Sequence, residues 1–301
     1  MKLKCSLLSL VPGLLSFPFQ PLSAQQPVTF EIVATFNCPG ATDTVPNGIN
    51  IAGDVAGSCS GSAAGDGGFV RYHNGRFSPL ISDPNSDEGR SVLTGINSSR
   101  VCCGWYSEAS NAHGFLVSAS GQFTEFNIEG ATDTTVDGIN DAGNLCGNST
   151  DLVHGTTAWA KIDGTVFSWS IPTARFNYGL AINNLNQTVG AYTTRSGDDE
   201  GFFRDTDGTL IYPIRVPGMT SVDLVGINDY GQMTGDAVDD SGKFHGVFFS
   251  SLNKSVLYDY PGAVNTFFGG INNHGLITGD YFDAAGNIHG FLLRVVRTAK
   301  D

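Results

Sequence analysis

Charged side chains are scarce in this sequence of 301 residues, and their scarcity excludes several classes of protein. Only 15% of the residues are Asp, Glu, Lys or Arg, too few for a coiled coil or a long solvated helical array. Glycine and proline number 39 and 12, together below the ~25–30% of the chain that marks a disordered low-complexity protein. No segment after residue 24 reaches ~18 consecutive apolar residues, so we expect no membrane insertion.

Several motifs of enzymes and metal proteins are also missing. The sequence has no glycine-rich phosphate loop, no His-Glu-x-x-His, no Asp-box of the sialidase kind and no Cys or His spacing typical of zinc. Residues 57–61, Gly-Ser-Cys-Ser-Gly, imitate a nucleophile elbow. That motif needs a strand-to-helix turn in an α/β sheet, whereas here it lies in a predicted β-strand. We therefore assign no catalytic residue.

Positive charge is in deficit. The chain has 16 Lys and Arg against 29 Asp and Glu, a net charge of −13. A field of this sign repels phosphate groups, so neither nucleic acid nor an anionic membrane surface is an expected partner. Cationic solutes, Ca²⁺ and basic protein patches remain compatible with it.

The first residues have the three parts of a secretory signal: Lys2 and Lys4, an apolar stretch from Leu7 to Leu15, and Leu22-Ser23-Ala24. We predict a signal peptide over 1–24, followed by a single domain over 25–301 that is secreted, to the extracellular space or the periplasm. The alternative interpretation is an ordinary leading strand.

Export permits disulfides, and five cysteines follow residue 24. They are Cys38, Cys59, Cys102, Cys103 and Cys146. An odd number leaves at least one unpaired or intermolecular, and the pairing stays open. Because neighbours in a strand point to opposite faces, one of the adjacent Cys102 and Cys103 is expected to be buried; a redox role for this pair is the alternative.

The strongest pattern is an internal repeat. A Gly-Ile-Asn motif, or a close variant of it, recurs at intervals of 43 to 47 residues, with its asparagine at Asn50, Asn97, Asn140, Asn183, Asn228 and Asn272. Glycine follows seven positions later in every copy: Gly57, Gly104, Gly147, Gly190, Gly235 and Gly279. A third glycine precedes an apolar residue in most copies: Gly68, Gly114, Gly155, Gly201, Gly246 and Gly290.

Short alternating apolar runs separated by Gly, Asn and Asp predict four β-strands in each unit. Pairs such as Asn74-Gly75 and Asp163-Gly164 predict type I′ turns before each fourth strand. Six such units predict an all-β fold, a six-bladed β-propeller of four-stranded blades. The last unit lacks a fourth strand, and residues 29–37 are expected to supply it and close the ring.

The units resemble the HAF-type repeats of bacterial exported proteins, a β-propeller-like repeat family. The matching stretches are GINDYGQMTGDAVDDSGKFHGVFF over 226–249 and GINNHGLITGDYFDAAGNIHGFLL over 270–293. The resemblance covers all six units and implies an extracellular or cell-envelope repeat protein. It brings no catalytic residues.

The links between second and third strands, and from each fourth strand to the next unit, are expected to be long, polar and on one face. The unit-to-unit links are placed at 83–90, 131–137, 173–177 and 219–223. Ligand sites favour such loops. Histidine precedes the third glycine in four units, as His113, His154, His245 and His289, and we expect these imidazoles to satisfy backbone groups of the loops. The candidate binding residues of this face are Asp133, Asp223, His113, His245 and His289.

Acidic residues are predicted to cluster in these loops, where carboxylates could hold Ca²⁺. The candidates are Asp236, Asp239, Asp240, Asp280 and Asp283. None follows the spacing of a dedicated calcium loop, so solvated turns are the favoured interpretation and no cofactor is expected.

The sequence favours a monomeric binding or scaffold module for a protein or glycan partner at the cell envelope, without catalysis. The alternative is an extracellular carbohydrate-active hydrolase or lyase that uses acidic residues of the long-loop face. An enzyme would concentrate unlike residues from several units around the centre of the ring.

Overall fold

The structure is a computed structural model that describes residues 28–62, 65–87 and 91–297. These residues form 23 β-strands and no α-helix. The predicted signal peptide, residues 1–24, lies outside the described residues. The strands are β1 Val28–Phe36, β2 Asp43–Ile49, β3 Val55–Ser60, β4 Gly67–Arg71, β5 Ser91–Ile96, β6 Cys102–Glu108, β7 Asn111–Val117, β8 Phe123–Phe126, β9 Asp133–Ile139, β10 Leu145–Asp151, β11 Gly155–Ile162, β12 Thr165–Trp169, β13 Phe176–Ile182, β14 Thr188–Thr193, β15 Asp199–Arg204, β16 Leu210–Ile214, β17 Met219–Ile227, β18 Met233–Asp239, β19 Phe244–Ser251, β20 Lys254–Tyr258, β21 Asn265–Ile271, β22 Leu276–Phe282 and β23 Ile288–Arg297.

The strands pair as antiparallel meanders, one for each sequence repeat. Units 2 to 5 are β5–β8, β9–β12, β13–β16 and β17–β20. Unit 6 consists of β21, β22 and β23, and its fourth strand is β1, which pairs antiparallel with β23 from Val28↔Arg297 to Phe36↔Gly290. The predicted pairing of the N-terminal strand with the last unit is therefore confirmed.

Unit 1 departs from the predicted four strands. It has β2, β3 and β4, but its fourth position is reduced to two isolated bridges, Arg71↔Phe77 and Gly68↔Ile81. Pro79 has no N–H to donate to a ladder. The Ser78 hydroxyl group accepts the hydrogen bond of Val70 N–H, so a side chain takes the place of a strand partner.

The glycine seven positions after each asparagine has one physical cause. In all six units a Cβ atom at this glycine would overlap a carbonyl oxygen of the first strand, that of Val45 opposite Gly57, for example. The pairing register shifts beside this position, as between Pro46 and Gly48 opposite Gly57. The first strand therefore bulges toward the second, and only glycine leaves room for its carbonyl group.

The register corrects the third glycine set in unit 3. Ala158 pairs with Asn148 there, the position that Gly114 occupies against Trp105 in unit 2. Gly155 instead begins β11 with a positive φ of 70°. His154 is thus a residue of the β10–β11 turn and not a counterpart of His113. The shortened loop of this unit shifted the sequence alignment by three residues.

Link length does not distinguish the two faces as predicted. The links between first and second strands have five residues in unit 4, 183–187, and the links between second and third strands are no longer in units 2 to 5, as at 240–243. The proposed links at 131–137, 173–177 and 219–223 in part form the beginnings of β9, β13 and β17. Asp133 and Asp223 consequently lie in strands, because the alternating residues around them are buried.

The turns before the fourth strands are also mostly of another type. Both turn residues have positive φ only at Asp163-Gly164, at 50° and 85°, as a type I′ turn requires. At Asn74-Gly75, Ser120-Gly121 and Asp207-Gly208 the glycine alone has positive φ. In these longer turns the glycine follows the two central residues instead of being one of them, and it still has the positive φ.

The hydrophobic core lies between neighbouring units. Phe248 of unit 5 packs in one cluster with Phe268 and Phe291 of unit 6, and Phe30 of β1 packs against it. Both faces of each sheet are thus covered, which is why Cys102 and Cys103 are both buried, where only one was expected. Cys38 and Cys59 form a disulfide with Cα atoms 6.2 Å apart, whereas Cys102, Cys103 and Cys146 are free thiols.

Candidate functional site

Six asparagine side chains join the units at one end of the molecule. The Nδ2 group of each donates a hydrogen bond of 2.9 to 3.3 Å to the backbone carbonyl group of the equivalent asparagine in the next unit. The last bond, from Asn272 to Asn50, returns to the first unit. We call these residues the asparagine ring: Asn50, Asn97, Asn140, Asn183, Asn228 and Asn272.

Each ring asparagine also closes its own turn. In Asn183, for example, Oδ1 accepts hydrogen bonds from the N–H groups of Leu185 and Gln187, at 3.0 and 2.9 Å. All six side chains are buried. The repeated asparagine therefore binds its own turn with one atom and the next unit with the other. The six isoleucines that precede the ring line the narrow space beneath it.

The opposite end opens into a cavity of about 420 Å³ to which all six units contribute. The residue three positions before each ring asparagine lines it, and this residue differs in every unit: Asn47, Thr94, Asp137, Leu180, Val225 and Gly269. Phe267, Phe268, Phe282 and Ile288 of unit 6 form an apolar wall. The end with the asparagine ring is thus built from identical residues, and we call it the uniform end. The end with the cavity is built from different residues, and we call it the varied end.

Three carboxyl groups line the cavity, and we call it the acidic cavity. Asp137 accepts hydrogen bonds from Thr135 Oγ1 at 2.6 Å and Asn148 Nδ2 at 2.9 Å. Asp236 Oδ1 accepts one from Phe268 N–H at 2.8 Å. Asp280 is 7% exposed, and no group in the described part of the chain donates a hydrogen bond to its carboxyl group.

Burial dominates the electrostatics of these acids. Removal from water raises the pKa of Asp137 and that of Asp280 to about 7, because a low-dielectric environment disfavours the charged form. Burial also raises the pKa of Asp236 well above its ordinary value, and the nearby Asp223 and Asp280 carboxyl groups add to the increase. Near neutral pH the cavity therefore holds carboxyl groups that gain or lose protons.

Asp223 lies behind this cavity. Its Oδ1 atom and that of Asp199 are buried without a hydrogen-bond partner in the described residues. Burial, and then the charge of Asp199, raise the pKa of Asp223 to about 7. Of the predicted binding residues, Asp223 is the one next to the acidic cavity, through its electrostatic contact with Asp236.

The remaining predicted binding residues lie away from the cavity lining. Asp133 accepts hydrogen bonds from Ala112 N–H and the Thr132 hydroxyl group. His245 lies between Asp239 and Asp259, with ring-nitrogen distances of 3.3 and 2.7 Å. His289 lies similarly between Asp283 and Asn37. These imidazoles connect turns through side chains and not through the backbone groups that we expected.

His113 stacks on Tyr106 with ring centroids 5.3 Å apart, and its Nδ1 lies 3.2 Å from Asn127 Nδ2. Nδ1 of His113, His245 and His289 thus lies beside the residue that directly follows the fourth strand of its unit, Asn127, Asp259 and Asn37 respectively.

The five calcium candidates divide into two groups. Asp236 and Asp280 face the acidic cavity, whereas Asp239, Asp240 and Asp283 belong to the ends of strands and the turns that follow. Asp239 accepts hydrogen bonds from Ser241 and from Lys243 N–H, which hold its pKa below the ordinary value. Within the described ranges, no three His, Cys, Asp or Glu side chains are grouped as a metal site would require.

Asp137 is the cavity residue that the sequence interpretation missed. Its signal was variation at one position of an otherwise repetitive motif, three residues before the asparagine. A second signal was the pair Gly-Asp at 235–236 and 279–280, whose two aspartates line the cavity.

Solved β-propeller-like structures share this fold. A putative TolB from Agrobacterium tumefaciens matches with a TM-score of 0.55 at 10% identity, over 85% of this chain and 90% of that one. A streptogramin B lyase matches with a TM-score of 0.51 at 14% identity, over 89% and 98%. A catalytically inactive virginiamycin B lyase from Staphylococcus aureus with quinupristin matches with a TM-score of 0.51 at 14% identity, over 89% of this chain and 100% of that one.

At these identities the likeness shows the fold alone: all-β, with several sheets, and propeller-like. No family model matches the sequence, and no curated protein matches it. No helix among the described residues is long and apolar enough to cross a membrane.

Proposed function

We propose that this chain is a secreted six-bladed β-propeller that binds a protein or glycan partner in the acidic cavity and has no catalytic activity. It would be a monomer of the HAF-type repeat kind, with residues 25–301 as one domain. The observation that carries the proposal is the acidic cavity, built from six different residues at the position where the rest of the motif repeats.

Strand pairing and the asparagine ring support six blades. Six units of strands follow one another, β1 completes the last of them, and the Asn272–Asn50 hydrogen bond joins the sixth unit to the first. Pairing with β1 covers the edge of β23 that would otherwise be free to pair with another chain.

The disulfide supports export. A Cys38–Cys59 bond persists in oxidising compartments and is rare in reducing ones. It joins the link after β1 to β3, and so connects the strand that completes unit 6 to unit 1. This location favours an extracellular or periplasmic protein.

The size and lining of the acidic cavity support binding. Its volume of about 420 Å³ falls within the ~300–1,000 Å³ of small-molecule sites, which combine apolar walls with a few polar groups. The cavity has both, since Phe267 and Phe282 face three carboxyl groups. A side chain or a terminal sugar of a larger partner would fit such a space.

A carbohydrate-active hydrolase or lyase is the second candidate function. Asp137 and Asp280, from different units, line one cavity and have pKa values of about 7, as a general acid at neutral pH needs. This interpretation predicts release of reducing or unsaturated sugar ends from some extracellular polysaccharide, and loss of that activity in Asp137→Asn.

The binding proposal is tested by filling the cavity. We expect Leu180→Trp to abolish binding of ligands found by thermal shift in a panel of glycans, peptides and Ca²⁺ on residues 25–301. Leu185→Trp is the matched control, because Leu185 is 50% exposed in the turn at the asparagine end. Ligands that bind both variants equally, or a panel without any ligand, would overturn the proposal.

A further inference from the structure

Building on that proposed function, we propose that the acidic cavity recognises an alkylammonium group, such as the lysine side chain of a protein partner or a free aliphatic amine. The proposal deepens the binding function by naming the chemistry of the ligand. It rests on the charge of the cavity, on an unpartnered carboxyl group within it and on its apolar wall.

The charge of the lining is of one sign. Asp137, Asp236 and Asp280 contribute carboxyl groups, and the described residues that line the cavity include no Lys, Arg or His. Among the described residues, the charged neighbours outside the lining that raise the pKa values of these acids are further acids: Asp223 acts on Asp236, and Asp199 acts on Asp223. A positively charged ligand would therefore supply these carboxyl groups with a cationic partner that the lining does not provide.

Asp280 is the carboxyl group that such a ligand would stabilise most directly. Asp280 is 7% exposed, and it lines the cavity. Its carboxyl group accepts no hydrogen bond from the part of the chain that the structure describes. A buried carboxylate without a partner is costly, and an ammonium group supplies both charge and three hydrogen-bond donors.

The apolar wall selects an organic cation over a metal ion. A calcium ion takes 6–8 oxygen ligands, but the described residues contain no group of three that could hold a metal. Phe267, Phe268 and Phe282 instead offer apolar surface to an aliphatic stem. Aromatic faces also attract cations within ~6 Å of the ring centre.

The acids make binding dependent on pH. Burial holds the pKa of Asp280 at about 7 in the empty cavity, and an ammonium ion would stabilise its ionised form. Binding then releases a proton below pH 7. For one such carboxyl group the apparent affinity rises about tenfold between pH 6 and pH 8, while an alkylammonium ion with a pKa of ~10.4 stays charged throughout.

The test is calorimetric titration of residues 25–301 with Nα-acetyl-lysine methylamide and with n-butylammonium. We expect binding of the lysine probe that strengthens about tenfold from pH 6 to pH 8, and no binding of the norleucine analogue, which has the stem without the charge. Binding of both amines indicates that a free amine suffices, and binding of the lysine probe alone indicates a protein partner; either supports the proposal.

Asp280→Asn keeps the shape of the side chain and should lower the affinity for the amine at least tenfold. Asp240→Asn is the control, with the same loss of charge in an exposed turn at the same end. Equal affinity in wild type and Asp280→Asn, or equal binding of the norleucine analogue, would overturn the ammonium site. A neutral glycan that binds wild type and is blocked by Leu180→Trp would leave the proposed binding function intact while refuting this inference.

Discussion

The two ends of the space that the six units enclose differ in their residues: one end repeats the same residue in every unit, and the other has a different residue in each. At one end six identical asparagines satisfy every turn and bond to the next unit. At the other, six different residues surround a cavity with three acids, of which Asp280 is buried and accepts no hydrogen bond from the described residues. Repetition at the first end fixes the positions of the units relative to one another. That constraint leaves the second end free to vary, and its unsatisfied groups are a local cost that ligand binding could recover.

The largest predicted effect removes the strand that holds unit 6 in place. A chain that begins at residue 37 lacks β1, and with it the aromatic contacts of Phe30 with Tyr258 and Phe248 and the buried side chain of Phe36. Loss of a buried phenylalanine such as Phe36 costs ~3–5 kcal/mol, the partly buried Phe30 adds to this loss, and 1 kcal/mol moves the thermal midpoint by ~2–4 °C at this size. We expect a loss of more than about 10 °C by differential scanning calorimetry.

A chain that begins at residue 28 is the control, because it keeps the whole of β1. If both chains melt at the same temperature, β1 does not hold the sixth unit against the first. The uniform end would then be stable without it.

A second prediction compares two neighbouring asparagines at the uniform end. Asn183→Ala leaves the buried carbonyl group of Asn228 without its donor and the partly buried N–H groups of Leu185 and Gln187 without their acceptor. Unsatisfied buried groups cost ~1–3 kcal/mol each, so we expect a loss of about 3 kcal/mol in urea denaturation. Asn184→Ala is the matched control and should lose under about 1 kcal/mol, because the hydrogen bonds of its side chain with Asp141 and Asp229 are exposed to water. Equal losses would show that the ring adds nothing special.

A third prediction concerns the varied end, where we expect a substitution to raise the stability of the protein instead of lowering it. Asp280→Asn should stabilise the protein at pH 8, since the folded state there must ionise a buried carboxyl group whose pKa is about 7. A rise of about three pKa units over the unfolded value corresponds to ~4 kcal/mol, and we expect a gain of about 2–4 kcal/mol after relaxation of the site.

The pH dependence gives the sign check. A raised pKa in the folded state means that the folded protein binds the extra proton between about pH 4 and pH 7, so this acid costs stability only as the pH rises through that range. The gain from Asp280→Asn should therefore shrink toward zero near pH 4. A gain that is the same at pH 4 and pH 8 would show that charge is not its cause.

The repeat made the uniform end predictable and left the varied end obscure. Gly-Ile-Asn and the glycine seven residues later are fixed by backbone contacts, so their spacing alone gave the units and the pairing of β1. Gly155 was misplaced because one shortened loop moves a glycine out of register without changing its local sequence. The prediction of loops at Asp133 and Asp223 is wrong because Asp133 begins β9 and Asp223 lies in the middle of β17, and a polar residue in either place resembles a loop residue in sequence.

The cavity itself depends on which strand faces meet in three dimensions. Asp236 and Asp239 are three residues apart in the same strand, β18, and both looked like loop acids, yet only Asp236 points to the cavity. The choice is made by the bulge of the first strand and by the packing of the next unit. The bulge and the packing of the next unit depend on residues far from the aspartate in sequence. The sequence therefore predicted candidate carboxylates but could not distinguish the buried ones from the solvated ones.

The smallest predicted effect tests whether charge matters at the asparagine end at all. Asp141→Asn removes one negative charge from an exposed residue beside the ring, and the new amide oxygen can still accept the hydrogen bond that Ser98 N–H donates to Asp141 Oδ1 at 2.7 Å. Asp141 Oδ2 also accepts a hydrogen bond of 3.2 Å from Asn184 Nδ2, but this contact is exposed to water, and surface substitutions of this kind change stability by about 0.5 kcal/mol or less. We therefore expect no measurable shift in urea denaturation and unchanged affinity for the lysine probe. A weaker affinity in this variant would mean that the cation is recognised by the field of the whole molecule, and the contrast between the two ends would lose its functional meaning.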